Sequence, residues 1–67
     1  MKLGIAFIDD LTNAVAIIDA PAIIPNIGEA LQIRTNGHTL IVKVVNKIID
    51  YEKQTCSVSV IRVRIVQ

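Results

Sequence analysis

Residues 25–29 read Pro25-Asn26-Ile27-Gly28-Glu29, and a run of alternating apolar residues follows them directly. Proline fixes φ and removes a backbone donor, whereas glycine adopts positive φ at no steric cost, so this stretch predicts a turn. Glu29 stands at the start of the next strand, and we interpret it as a solvated or backbone-capping carboxylate. The stretch therefore divides the chain into a front hairpin and a back meander.

The composition favours strands over helices. The chain has 67 residues, of which 52% are hydrophobic, with one Phe, one Tyr and no Trp. Thirteen Ile and eight Val supply most of the apolar side chains, and β-branched residues are stiff at χ1 and pack well on a pleated surface. A chain of this length forms one domain, which we place at 1–67.

Two strands are predicted before the turn, at 2–9 and 14–20. The apolar residues of the first share one face at period two, and they are Leu3, Ile5 and Phe7. Asp9 and Asp10 favour a hairpin connection, because Asp side chains bond their own backbone in turns. A helix is the alternative for 14–20, where alanine is frequent. The prolines at 21 and 25 indicate an extended crossover, and its Ile23 and Ile24 are expected to plug one end of a barrel.

Three strands are predicted after the turn, at 29–35, 38–50 and 55–66. Leu31 and Ile33 alternate with polar residues, and Asn36-Gly37 is a strong signal for a type I′ hairpin. In the long fourth strand we place one parity inward, namely Leu40, Val42, Val44 and Ile48. The other parity is expected to face outward, namely Ile41, Val45 and Ile49.

The last strand changes its apolar phase. Val58 and Val60 are even-numbered, whereas Ile61, Val63 and Ile65 are odd-numbered. A β-bulge near 60–61 would insert one residue and keep both sets facing inward, while bending the strand as a small barrel requires. The expected fold is all-β: a five-stranded antiparallel meander that forms a small barrel.

From residue 25 onward the pattern resembles that of short uncharacterised bacterial proteins with SH3-like small β-barrels, the Pro-x-Ile-Gly-Glu type. The matching positions are Pro25, Ile27, Gly28, Glu29, Leu31, Gly37, Val42 and Val45. The resemblance implies a fold and no activity, because that group has no shared catalytic motif. Leu40 stands where an aromatic residue is common, which removes a stacking residue from any ligand groove.

The sequence offers no catalytic, metal or cofactor site. Cys56 reads as a small buried hydrophobe, and a single His38 beside a turn reads as a solvated residue. The glycines are scattered, so a phosphate loop and a small-molecule substrate are not indicated. We expect a non-enzyme without cofactor. No apolar run could span a membrane and no signal peptide is evident, so a cytoplasmic location is expected.

The surplus of apolar residues predicts a protein-interaction module that forms a homo-oligomer or binds a protein partner. Outward-facing Ile41, Val45 and Ile49 are expected to supply the interface, and Ala14, Ala16 and Ile18 are expected to add to it. The alternative is a weak single-stranded nucleic-acid-binding barrel with a basic stripe on its outer face, formed by Lys43, Lys47, Arg62 and Arg64. The net charge of +1 gives no general attraction to nucleic acid. A third possibility is a subunit that contributes one side of a shared enzyme site.

Overall fold

The computed structural model describes residues 1–66, which form a single curled sheet of five strands. The strands are β1 (Lys2–Phe7), β2 (Ala16–Asp19), β3 (Ala30–Thr35), β4 (His38–Asp50) and β5 (Thr55–Ile65). The all-β prediction is confirmed, and the 14–20 segment contains a strand rather than a helix. The predicted strands 2–9 and 14–20 are too long, because the chain leaves the ladder after Phe7 and rejoins it only at Ala16.

The predicted purely antiparallel meander is wrong. The strand order is β2-β1-β5-β4-β3, and β1 pairs with β5 in parallel. Five strands that reverse direction one after another leave the first and the last pointing the same way, so closing β1 onto β5 requires a parallel ladder. With β1 paired to β5, the two edges of the sheet are β2 and β3, which do not pair and are joined by the proline-bearing crossover. The result is a mixed sheet curled into a half-barrel.

One face of the sheet, which we call the inner face, holds the core. Among residues 1–66, the buried hydrophobic cluster on this face has nine members: Leu3, Ile5, Phe7, Leu40, Val42, Val44, Cys56, Val58 and Val60. They come from the three central strands, and in-register partners such as Leu3 and Cys56, or Ile5 and Val58, share this face. The prediction that Cys56 is a buried hydrophobe is confirmed. Leu31 and Ile33 of β3 pack against the core from the sheet edge.

Two register shifts in the β4–β5 ladder decide which residues face outward. Arg62 and Arg64 pair with consecutive residues of β4, so Val63 is the extra residue on β5. Val44 pairs with Val60 and Asn46 pairs with Ser59, so Val45 is the extra residue on β4. Each bulge exchanges the two faces of its strand from that point onward.

The predicted bulge at 60–61 is therefore misplaced. Val60 pairs directly with fully buried Val44, and the extra residue at that level is Val45 on β4 rather than a residue of β5. Ile61 pairs with Lys43 on the outer face, and Ile65 lies at the rim opposite Leu40. All three residues expected to be buried, Ile61, Val63 and Ile65, are exposed. Ile61 faces outward and Val63 is the bulge residue, whereas Ile65 shares the inner side with Leu40 but is exposed at the rim.

The bulge at Val45 also corrects the predicted facing of β4. Ile48 pairs with Ser57 on the outer face and is 62% exposed, although the alternation had placed it inward. Ile49 pairs with Cys56 on the inner side, although it was expected to face outward. Ile41 and Val45 are half-buried. The three residues expected to form one outward patch are thus divided between both faces.

The crossover between β2 and β3 matches its prediction only in part, whereas the hairpin between β3 and β4 matches fully. In the crossover, Ile24 packs against the core as predicted, but Ile23 is 78% exposed and plugs nothing. Asn36 and Gly37 have φ of 51° and 77°, and they join the paired residues Thr35 and His38. Positive φ at both central positions is the requirement of a type I′ turn, so the predicted hairpin is confirmed.

Candidate interaction surfaces

Exposed apolar side chains outnumber those in the core. Among residues 1–66, fourteen large hydrophobic side chains are exposed, against nine apolar side chains that are buried. Isolated exposed hydrophobics are ordinary, but contiguous apolar patches on a small protein mark interaction sites. Two such patches can be traced through the strand register.

The first patch is a cleft between the free edges of β2 and β3, which we call the edge cleft. It encloses about 250 Å³ and is lined mainly by Leu3, Ile18, Ile23, Pro25, Leu31 and Ile33. Ile18 lies on the inner face because it pairs with Leu3, and Leu31 lies there because it pairs with Val42. The cleft is the side of the half-barrel that no strand of residues 1–66 covers.

The second patch is a furrow on the outer face, which we call the outer furrow. Its floor consists of small residues of β1 and β5, namely Gly4, Ala6, Ser57 and Ser59. Ile48 borders it on one side and Leu11 on another, around a volume of about 260 Å³. Gly4 and Ala6 stand two residues apart in β1, as Ser57 and Ser59 do in β5, so each pair places small side chains on one face of its strand. This spacing is the sequence signal for such a floor, and the prediction from sequence missed it.

A third depression, of about 340 Å³, lies at the rim beside the Asn36-Gly37 hairpin. His38, Asp10 and Arg62 line it, together with core residues Phe7 and Leu40. The carboxylate of Asp10 accepts hydrogen bonds from Thr12 Oγ1 and Asn13 Nδ2 at 3.1 and 3.2 Å. Asp10 therefore organises its own turn, as predicted, rather than orienting His38. His38 is exposed, as expected for a residue at a hairpin tip.

The four basic residues of the predicted stripe do not share one face. Lys43 and Arg64 face outward, because they pair with Ile61 and Ile41. Arg62 pairs with Val42 and Lys47 pairs with Val58, so both lie on the inner side of the sheet. The two bulges separate the set into pairs on opposite faces, and the predicted stripe is wrong.

Glu29 clamps the turn at residues 25–29. Its Oε1 accepts the N–H of Asn26 at 2.6 Å, while its own N–H donates to Asn26 O at 3.1 Å. Gly28 has φ of 94°, which suits the third position of a type II turn. Lys47 Nζ donates to Asn26 Oδ1 at 2.9 Å and so ties the turn to β4. The capping role that we expected for Glu29 is present.

The described residues hold no grouping of three or more His, Cys, Asp or Glu side chains able to bind a metal ion. Within the same part of the chain, no helix is both long and apolar enough to cross a bilayer. Comparison with known proteins returned no match to a family model, to a curated protein or to a solved structure. The resemblance to short bacterial barrels therefore stays a prediction.

Proposed function

We propose that this protein is a non-catalytic interaction module that associates with itself. The observation that carries the proposal is the excess of exposed over buried large apolar side chains, fourteen against nine, within residues 1–66. Removal of apolar surface from water is favourable by roughly 25 cal/mol per Å², and only the surplus over the entropic and desolvation costs of association contributes to affinity. Association also raises the stability of so small a domain, because a partner that binds only the folded form shifts the folding equilibrium toward it.

The half-barrel is consistent with assignment to the SH3-like small barrels, which we include in the proposal. Two features support it: the clamped turn at 25–29 and the two-residue hairpin at Asn36-Gly37. Because small barrels serve many unrelated functions, this assignment adds nothing to the choice of function. The function rests on the surface alone.

Nucleic-acid binding is the alternative that the test must separate. A single strand is normally held by a basic groove together with aromatic platforms. Here the basic residues lie on two faces, and Phe7 is buried in the core. Tyr51, which is exposed, is the one aromatic side chain that remains. These placements favour self-association over a backbone-tracking groove.

Sedimentation equilibrium from micromolar to millimolar protein tests the proposal. We expect a reversible dimer or larger species whose dissociation constant changes little between low and high salt, because apolar contacts are insensitive to screening. A parallel titration with a fluorescent single-stranded oligonucleotide at low salt should show no binding. A monomer at every concentration would refute self-association, and salt-sensitive oligonucleotide binding would favour the alternative.

A further inference from the structure

Within residues 1–66, the free edge of β3 has backbone groups without a partner, in a regular series. Val44 donates its N–H to Glu29 O at 3.0 Å, one step beyond the Ala30–Lys43 pair. Hydrogen-bonded and non-hydrogen-bonded pairs alternate along an antiparallel ladder. The N–H and C=O groups of Ala30, Gln32 and Arg34 therefore point away from β4, and all three residues are exposed.

This edge has few of the features that usually prevent edge-to-edge pairing, and Arg34 is its one charged side chain. Natural edge strands are shortened, bent by bulges, or protected by proline and lysine. β3 has six residues without Pro or Lys, and both bulges lie in the β4–β5 ladder instead. β2 is the opposite case. It has four residues and is followed by Ala20 at φ of 50° and by Pro21, which end the extended backbone.

We propose that the free edge of β3 pairs antiparallel with β3 of a second copy, around a two-fold axis at Gln32. The inference deepens the self-association proposed above and rests on it. In this register the two Gln32 residues exchange backbone hydrogen bonds, and Ala30 of each copy does so with Arg34 of the other. Six further backbone groups of each chain are satisfied in this way, three donors and three acceptors.

The side chains favour a second copy as the occupant of this edge, because the register is self-complementary. Leu31 of one copy faces Ile33 of the other across a non-hydrogen-bonded pair, where Cα atoms approach to about 4.5 Å. Both side chains lie on the inner face and line the edge cleft. Arg34 faces Ala30 rather than another charge, so the pairing brings no like charges together.

Charge variants at Gln32 test the pairing. In Gln32→Lys the axis brings two ammonium groups together, and in Gln32→Glu it brings two carboxylates together. Each variant alone should dimerise at least about tenfold more weakly than the unmodified protein. An equimolar mixture of the two variants should recover dimer, and that recovery should be sensitive to salt. Ile17→Lys, on the free edge of β2, is the matched control and should dimerise normally.

The outcomes separate this proposal from the broader one. If the unmodified protein associates but Gln32→Lys and Gln32→Glu associate equally well, the β3 pairing is overturned and self-association stands. Weakening of both variants without recovery in the mixture would likewise overturn the two-fold register. A monomeric unmodified protein would overturn both proposals. Far-ultraviolet circular dichroism of each variant establishes that it is folded, as expected for substitutions at an exposed position.

Discussion

The guanidinium of Arg62 lies over the ring of Phe7, with 3.8 Å between the central guanidinium carbon and the ring centroid. Arg62 Nη1 also lies 3.6 Å from Asp9 Oδ2. Arg62 pairs with buried Val42 and precedes the Val63 bulge, so it stays in phase with the buried even-numbered residues of β5. A charged side chain thus covers the end of the apolar core where β1 leaves the sheet.

Removal of this cover should lower stability by a modest amount. We expect Arg62→Ala to reduce the free energy of unfolding by about 0.5–1 kcal/mol, mainly through loss of the cation–π contact, because exposed ion pairs contribute little. Urea denaturation followed by circular dichroism at fixed protein concentration measures it. Arg64→Ala, on the outer face of the same strand, is the control and should be near neutral. Equal losses in both variants would contradict the contact.

The bulge at Val45 predicts different costs for the same substitution at two isoleucines. Ile5→Val removes a methylene from a buried site, which typically costs about 0.5–1.5 kcal/mol. Ile48→Val does so at an outward site that is 62% exposed, so its cost should be close to zero. The pair is compared by denaturant unfolding. A loss at Ile48 as large as that at Ile5 would mean that simple alternation holds and the bulge is absent.

The hairpin at Asn36-Gly37 predicts a backbone effect. Gly37 has φ of 77°, so Gly37→Ala forces a Cβ into the left-handed region and should cost about 1–2 kcal/mol. Gly4 lies inside β1, and a Cβ built there meets no atom within 4 Å. Gly4→Ala should therefore be neutral or stabilising by up to about 1 kcal/mol. Thermal unfolding of both variants checks the contrast, which a reversal of their order would refute.

The clamp formed by Glu29 predicts graded losses. Glu29→Ala leaves the N–H of Asn26 without its side-chain acceptor and should cost about 0.5–1.5 kcal/mol. Glu29→Gln retains a neutral acceptor and should lose less. Both are measured by denaturant unfolding against the unmodified protein. An equal loss for Ala and Gln would show that the negative charge, rather than the hydrogen bond, holds the turn.

The period-two pattern predicted much of the fold because its information is local. Leu3, Ile5 and Phe7 alternate with small or polar residues, and they are buried as expected. The same rule failed at Val44 and Val45, because consecutive apolar residues do not show which of the two faces the core. The bulge there is decided by the partner strand, since Val44 must remain opposite buried Val60.

The period-two pattern also could not predict which side of the sheet stays open. The parallel pairing of β1 with β5 depends on residues more than fifty positions apart, such as Leu3 and Cys56. Alternation within each strand contains no information about which strands become neighbours. The candidate surfaces follow from that choice, because the edge cleft exists only where β2 and β3 are not paired.

Amide hydrogen exchange by NMR tests most directly whether a second copy covers the free edge of β3. The amide of Ile33 bonds within the sheet to β4 and should exchange slowly at every protein concentration. The amides of Ala30, Gln32 and Arg34 should be protected at high concentration and should lose that protection together on dilution. Fast exchange of these three amides at all concentrations, beside a protected Ile33, would contradict the account.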